Sequence, residues 1–167
     1  MTVNELLRRA RSQKGKGIKY RLGGGKLKPL GDTCADERNS CDCSGFVDWC
    51  LTIDRQVDHP FYVRFNAGWV NTDSIWKDAK SSVGFFTECA PKAGAIIVYP
   101  GNRTSRQRGP KIGHVGIVTQ VKTGKVTAVI HCSTGNMKID GQAIHETPPR
   151  VFEKVQSTIC CWYAGLS

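Results

Sequence analysis

The sequence has no long hydrophobic run. A stretch such as residues 95–99, which reads AIIVY, is far shorter than the roughly 18 or more consecutive apolar residues that a membrane-spanning helix needs. We therefore expect this stretch to form a buried strand, and we expect no insertion into a membrane. Residues 1–9 also lack the basic segment followed by an apolar segment that directs secretion through the Sec pathway. We expect a protein that is made in the cytoplasm and that needs another route if it acts outside its cell.

Acidic residues are scarce, most of all near the N-terminus. The chain has 24 Lys and Arg against 14 Asp and Glu, a net charge of +10, and residues 1–30 contain nine basic residues and one acidic residue. This basic segment is typical of a surface that binds a polyanion such as nucleic acid, anionic lipid or an acidic bacterial wall, or of a solvated surface that only confers solubility. No aromatic residue lies among the basic residues before Tyr20, and no nucleic-acid-binding motif is present. We therefore expect no nucleic acid partner.

The length of 167 residues leaves room for one domain. A chain of this size buries roughly 68–70% of the surface that its unfolded form exposes, so its core needs neither disulfides nor a metal ion. The eight cysteines therefore call for another explanation. We expect a single domain over residues 1–167, present as a monomer and without a cofactor.

Hydrophobic periodicity predicts helices first and strands afterwards. Apolar residues recur at helical spacing over residues 3–12 and 43–53, and Thr72 is expected to cap a third helix. Residues 13–42, which are rich in glycine and polar residues, predict a long irregular loop. Four strands are predicted after Pro91, at residues 94–99, 114–121, 125–132 and 158–164. This order favours an α+β fold in which N-terminal helices pack on a central antiparallel sheet.

Cys43 is the first candidate for a catalytic residue. It joins the glycine-rich loop to the second predicted helix, so its thiol lies at a helix N-terminus. Free N–H groups at a helix start stabilise a thiolate, and we expect them to lower the thiol pKa. The same N–H groups, that of Cys43 above all, can donate to an oxyanion.

Two histidines on neighbouring strands are candidates for a base and its orienting partner. A turn near residues 123–124 predicts a hairpin in which Lys122 faces Lys125. In that register His114 and His131 are diagonal neighbours on one face of the sheet, within reach of each other. A cysteine nucleophile, a distant base and a third polar group are typical of cysteine hydrolases.

Four segments resemble the motifs of the NlpC/P60 peptidases, in the family's order: GIKYRLGG at 17–24, DCSGFV at 42–47, GHVGI at 113–117 and VIH at 129–131. The resemblance covers roughly residues 3–135 and implies a papain-like fold without a catalytic metal. It implies the roles of nucleophile for Cys43, base for His114 and third residue for His131. It also implies substrate or oxyanion positions for three further residues, Tyr20, Asp42 and Ser44. Because the cysteine precedes the histidine, the chain resembles the unpermuted branch.

The activity that the resemblance implies is hydrolysis of amide bonds in bacterial peptidoglycan, typically between D-γ-glutamate and the following diamino acid. The CHAP amidases, a sister group with the same order of cysteine and histidine, are a close alternative that acts on another amide. The segment 25–43 and the basic loop 100–112 depart from the family pattern, and Ala95 replaces its usual Asp. A basic domain without wall-binding modules resembles a delivered antibacterial toxin or a phage lysin. We therefore expect action on the cell wall in the periplasm or outside the producing cell, with an immunity protein or secretion apparatus as further partners.

Other interpretations stay open on the sequence alone. Four cysteines, at positions 34, 41, 43 and 50, suggest a zinc site, but their spacing is not the paired spacing of structural zinc. A disulfide between Cys34 and Cys41 is compatible with an oxidising compartment. Asn136 is an alternative to His131 as the orienting residue. A basic binding module with an unused site is the main alternative to an enzyme, and it predicts a missing catalytic residue, which is not the case.

Overall fold

The computed structural model describes residues 1–101 and 112–167. Within these ranges the chain forms six helices, α1 to α6, at Val3–Arg11, Cys43–Leu51, Pro60–Asn66, Thr72–Ser81, Thr134–Asp140 and Arg150–Glu153. The same ranges contain eight strands, β1 to β8, at Lys19–Tyr20, Ser40–Cys41, Phe86–Glu88, Ile96–Tyr99, His114–Lys122, Lys125–Cys132, Ile144–Thr147 and Ile159–Tyr163. The basic residues of the predicted 100–112 loop lie outside the described part of the chain.

Six strands form one antiparallel sheet in the order β3, β8, β4, β5, β6, β7, while β1 and β2 form a separate parallel pair. Helix α2 packs against β5 and β6, and α4 packs against β3 and β4. The predicted α+β class with helices on an antiparallel sheet is therefore confirmed. Periodicity missed β3 and β7, which are the short edge strands of this sheet. It also missed β1 and β2, which lie inside the segment 13–42 that was predicted as an irregular loop.

Helix α2 lies at the centre of the helical layer. Asp42 caps it by accepting a hydrogen bond from the Gly45 N–H at 2.7 Å, and Thr52 ends it in the left-handed conformation, with φ of 59°. All nine of its residues are buried, whereas periodicity predicted one buried side. The reason is that α1 packs against α2 in addition to β5 and β6. Any polar side chain on α2 must therefore find its partners inside the protein.

The β5–β6 hairpin has the predicted register. Lys122 pairs with Lys125 and Ile117 pairs with Ile130, with a local irregularity at Gln120. Gly116 lies against His131, since a Cβ atom added there would come within 3.0 Å of the His131 Cβ. Because Gly116 has no side chain, His131 has room at this point of the sheet.

Several local predictions were wrong in detail. Helix α3 was not predicted; His59 caps it, and Pro60 fills its first position, where the absent N–H costs nothing. Asn71 rather than Thr72 caps α4, in a reciprocal pair of hydrogen bonds with Ser74.

Among the described residues, no helix combines the length and apolar character needed to cross a membrane.

Candidate active site

The Cys43 side chain lies at the first residue of α2 and faces the start of β5. It is 3% exposed, and the backbone N–H groups of Cys43, Ser44 and Val115 interact with its sulfur. Val115 directly follows His114, so packing of α2 against β5 brings the predicted nucleophile and the predicted base together.

The two histidines contact each other as the hairpin register predicts. The Nε2 atom of His114 lies 2.8 Å from the Nδ1 atom of His131, and the Nε2 atom of His131 lies 3.0 Å from the hydroxyl oxygen of Thr147. Phe152 stacks on His114, with 5.1 Å between ring centroids and 21° between ring planes. The His114 ring is therefore fixed by a hydrogen bond on one edge and by an aromatic ring on its face.

Burial sets the protonation of these groups. The pKa of the Cys43 thiol is raised to about 12, first by burial and then by the Asp42 carboxylate, although the backbone N–H groups oppose the shift. Burial, with a smaller effect of His131, lowers the pKa of His114 to about 3, and burial lowers that of His131 to about 4. The lowered thiol pKa expected from the helix start is thus wrong in sign, because burial outweighs the N–H groups. The resting pair is a neutral thiol and a neutral imidazole, which leaves His114 free to accept a proton.

Asp42 and Arg55 form a buried ion pair beneath the nucleophile. The Nη2 atom of Arg55 lies 3.0 Å from both carboxylate oxygens of Asp42, which also accept hydrogen bonds from the N–H groups of Gly23 and Gly45. Arg55 donates in turn to the carbonyl of Gly24 at 2.6 Å. The pair ties the glycine-rich loop to the start of α2. Both carboxylate oxygens of Asp42 already accept hydrogen bonds within the protein. Asp42 can therefore act on a substrate only indirectly, by holding the loop and the start of α2 in place.

Arg55 is a residue that sequence reasoning missed. It follows α2 in a segment without motif or periodicity. The sequence carried no signal for it, because the burial that makes the Asp42 carboxylate need a cation is seen only in the structure. Asp48 lies on the other side of the guanidinium, 4.0 Å from Nε, and burial raises its pKa well above the ordinary value.

Tyr20 and Ser44 both lie close to Cys43 and Asp42. The β1–β2 pair aligns Tyr20 with Cys41, and Tyr20 has its pKa raised by burial first and then by Cys43 and Asp42, which places the phenol near both. The Ser44 hydroxyl donates to an Asp42 carboxylate oxygen at 3.2 Å. Ser44 therefore adds to the loop network beside the nucleophile.

Cys43 opens into a cleft of about 470 Å³. Asp42 and Ser44 line it near the sulfur, and Trp69 and Asn71, from the segment before α4, line its far side. Neither Trp69 nor Asn71 was singled out in the sequence, because both lie in a connection with no motif.

The structure separates the remaining candidates from the site. Asn136 donates its side-chain amide hydrogens to the carbonyls of His131 and Ala143, at 2.9 and 3.1 Å, so it supports the backbone of His131 rather than the His114 ring. Cys34 and Cys41 are buried free thiols in hydrogen-bond contact. In the part of the chain that the structure describes, no three His, Cys, Asp or Glu side chains are arranged to hold a metal ion.

One protein family and two solved structures resemble this chain. The model of the CHAP domain matches residues 35–136. No curated protein matches the sequence. The crystal structure of Ly7917 is similar to 96% of this chain, with 16% identity and a TM-score of 0.50. The structure of Ly7917 with the hydrolyzing product of MDP gives 18% identity and a TM-score of 0.49 over the same 96%.

The chain spans 62% of the length of both Ly7917 chains. At 16% identity the likeness to Ly7917 concerns the fold alone. The family match is to the group that the sequence offered as the close alternative, and it does not confirm NlpC/P60.

Proposed function

Since the chain belongs to the CHAP domain family, we propose that it is a cysteine amidase or peptidase that hydrolyses amide bonds in bacterial peptidoglycan. The observation that carries the proposal is the arrangement at the cleft. A cysteine at a helix start lies beside a histidine whose Nε2 atom contacts a second histidine at 2.8 Å. These are the parts that acyl transfer through a thioester needs.

The first half of the reaction forms an acyl-enzyme. His114 takes the thiol proton of Cys43 while the sulfur attacks the amide carbonyl, so that an S–C bond forms and the carbonyl oxygen becomes negative. The N–H of Cys43 at the start of α2 donates to that oxygen. The C–N bond then breaks, the leaving amine takes the proton from His114, and a thioester remains on Cys43.

The second half returns the enzyme to its resting state. Water attacks the thioester and gives one proton to His114, the C–S bond breaks, and the carboxylic acid product leaves. The proton on His114 returns to the sulfur. Because the resting thiol and imidazole are both neutral, the cycle begins and ends without a charge buried beside Asp42.

Several finer proposals rest on the resemblance to NlpC/P60 and on the charge of the chain. The scissile bond joins D-γ-glutamate to the following diamino acid, or is another amide of the stem peptide as in CHAP amidases. Residues 1–167 act as one catalytic domain. The protein works as an antibacterial effector or a phage lysin on the wall in the periplasm or outside the producing cell. An immunity protein or a secretion apparatus is the partner that such delivery requires.

The test is mass spectrometry of the fragments released from purified peptidoglycan sacculi. The parent protein should release fragments with a new carboxyl end and a new amine, which identify the bond. Cys43→Ala and Cys43→Ser should release none, whereas Cys89→Ala, which changes a partly exposed cysteine outside the cleft, should match the parent. Release by Cys43→Ala, or no release by the parent, would contradict the proposal; a module that only binds the wall would give the second result.

A further inference from the structure

We infer that Trp69 forms a saccharide subsite of the cleft, so that the enzyme binds its substrate through a sugar ring of the glycan strand as well as through the stem peptide. The inference rests on the proposed function, because it concerns the same cleft. A sugar ring is the part of the polymer that fits the described lining of the cleft.

Exposed apolar side chains collect around the cleft that contains Cys43. Leu22, Trp69 and Ile112 all line it, and they are 59%, 37% and 54% exposed. Large apolar side chains left in water beside a reactive group mark a surface that a ligand covers. Of the three, Trp69 alone offers a flat ring with a polar N–H at its edge.

The backbone around Trp69 is held firmly. Its carbonyl accepts hydrogen bonds from the Asn66 amide at 3.3 Å and the Ser74 hydroxyl at 2.9 Å, and it pairs with Gln56 in a β-bridge. The Arg55 guanidinium lies 5.9 Å from the centre of the indole ring. Because Arg55 is itself fixed by Asp42, the ring is set in place before a ligand arrives, and little conformational entropy is lost on binding.

The charges that line the cleft favour a neutral ligand at this position. Among the described lining residues the charged side chains are Asp42, Arg55 and Asp73. Asp42 and Arg55 are paired with each other, and Asp73 accepts a hydrogen bond from the Gly101 N–H at 2.7 Å. Among the lining residues that the structure describes, no cation is left unpaired to bind the carboxylates of a stem peptide.

A pyranose ring fits the flat face of Trp69 and the polar groups around it. Its C–H groups give an apolar face for the indole, and its hydroxyl and acetamido groups lie around the edge. Asn66 uses its NH₂ group to hold the Trp69 carbonyl, and Asn71 uses its side-chain oxygen to cap α4, which leaves an amide oxygen and an amide NH₂ beside the ring. Whichever stem amide is cut, the glycan stays attached to the acyl half that is bonded to Cys43, so one subsite serves either bond.

The experiment compares a disaccharide-bearing muropeptide with the same stem peptide freed of its sugars. Trp69→Ala should lower kcat/KM on the muropeptide by about tenfold or more, mainly through KM, and change kcat/KM on the free peptide by less than about twofold. Trp69→Phe, which keeps a ring, should recover most of the loss. Phe65→Ala is the matched control, because Phe65 is an exposed aromatic residue outside the cleft.

A binding measurement separates this inference from the catalytic proposal. An oligosaccharide of N-acetylglucosamine should bind to Cys43→Ala protein in a calorimetric or NMR titration, and the added Trp69→Ala change should abolish binding. Equal effects of Trp69→Ala on the two substrates, or oligosaccharide binding that is absent or insensitive to Trp69, would overturn the subsite. If the parent cleaves neither substrate, the proposed function fails, and the titration still decides whether Trp69 binds sugar.

Discussion

The Nε2 atom of His114 is hydrogen-bonded to the Nδ1 atom of His131. This contact fixes where the protons lie along the chain of hydrogen bonds from Thr147 to His114. The Thr147 hydroxyl donates to the Pro148 carbonyl at 3.1 Å, so it accepts from the Nε2–H of His131. The Nδ1 atom of His131 then accepts from the Nε2–H of His114. That leaves the Nδ1 atom of His114 without a proton, which is the state that a base for the Cys43 thiol needs.

Removing the histidines should therefore have graded effects. His114→Ala should reduce kcat by about 10²- to 10⁴-fold, because the base is lost. His131→Ala should be milder, since the base remains but its ring and tautomer are no longer held. Thr147→Val should be milder still. Steady-state rates on a soluble muropeptide measure all three.

The control for this series is His59→Ala, which removes a histidine outside the cleft. Its rate should equal that of the parent within about twofold. A rate for His114→Ala equal to that of the parent would remove His114 from the role of base.

Thiol alkylation tests the effect of Asp42 on the nucleophile. The raised pKa of Cys43 predicts slow alkylation at neutral pH, so the partly exposed Cys89 and Cys160 should react first, contrary to what the helix start alone suggests. Burial is the main cause of the raised thiol pKa, and the Asp42 carboxylate is the second. Asp42→Asn keeps a capping oxygen but removes this second cause, so Cys43 should react faster, by about tenfold for each unit that the pKa falls. Peptide mapping of iodoacetamide adducts follows each cysteine, with Glu37→Gln as the control. An unchanged Cys43 rate in folded Asp42→Asn protein would show that burial alone sets the pKa.

The buried histidines should make stability depend on pH. Their pKa values are about 3 and about 4 in the folded protein, and an unfolded chain has histidines near 6.5. Between these values the unfolded state binds more protons, so the contribution to stability is full above pH 6.5 and is lost as the pH falls towards 4. His131→Gln should reduce the slope of the free energy of unfolding by up to about 1.4 kcal/mol per pH unit in this window. Urea unfolding at pH 7.5, 6 and 5 gives the free energy of unfolding at each pH. If this free energy changed equally with pH in the parent and in His131→Gln, the lowered pKa of His131 would be contradicted.

The parts of the site that were predictable from sequence depend on local rules. The 123–124 turn fixes the strand register, and the register alone brings His114 to His131. Arg55 and Trp69 depend instead on how the segment between α2 and α4 folds back on the cleft, and no periodicity encodes that path. The sign of the Cys43 pKa shift was missed for a related reason, since the helix start is visible in the sequence but the degree of burial is not.

Gly116 tests whether the space beside His131 matters. A Cβ atom at this position would come within 2.6 Å of Val129 Cγ1 and 3.0 Å of the His131 Cβ, so Gly116→Ala should displace the imidazole and cost about 1–3 kcal/mol of stability. Activity should fall together with stability. Gly135→Ala is the control, because the nearest atom to its added Cβ is 3.7 Å away and its φ is ordinary. A Gly116→Ala protein as active and as stable as the parent would mean that the sheet opens there without cost.

The last prediction concerns the basic N-terminal segment, whose cations the structure divides into two groups. Arg9 donates to the carbonyls of Trp49 and Pro29, and Arg11 forms an ion pair with Glu146, so replacing either would disturb the fold as well as the charge. Arg8 and Lys28 are exposed and carry no ion pair among the described residues. They are the side chains with which to test attraction to an acidic wall.

If that attraction guides the enzyme, binding to insoluble sacculi should weaken steeply as the Debye length falls from about 10 Å at 0.1 M salt to about 3 Å at 1 M. Replacing Arg8 and Lys28 with Gln should weaken binding at low salt, whereas hydrolysis of a short soluble substrate should change little, because it depends on contacts near Cys43. Lys80→Gln is the control, since that lysine is already paired with Glu88. Sedimentation of Cys43→Ala protein with sacculi measures binding without cleavage. Binding that ignores both salt and the double replacement would mean that the basic segment serves solubility alone.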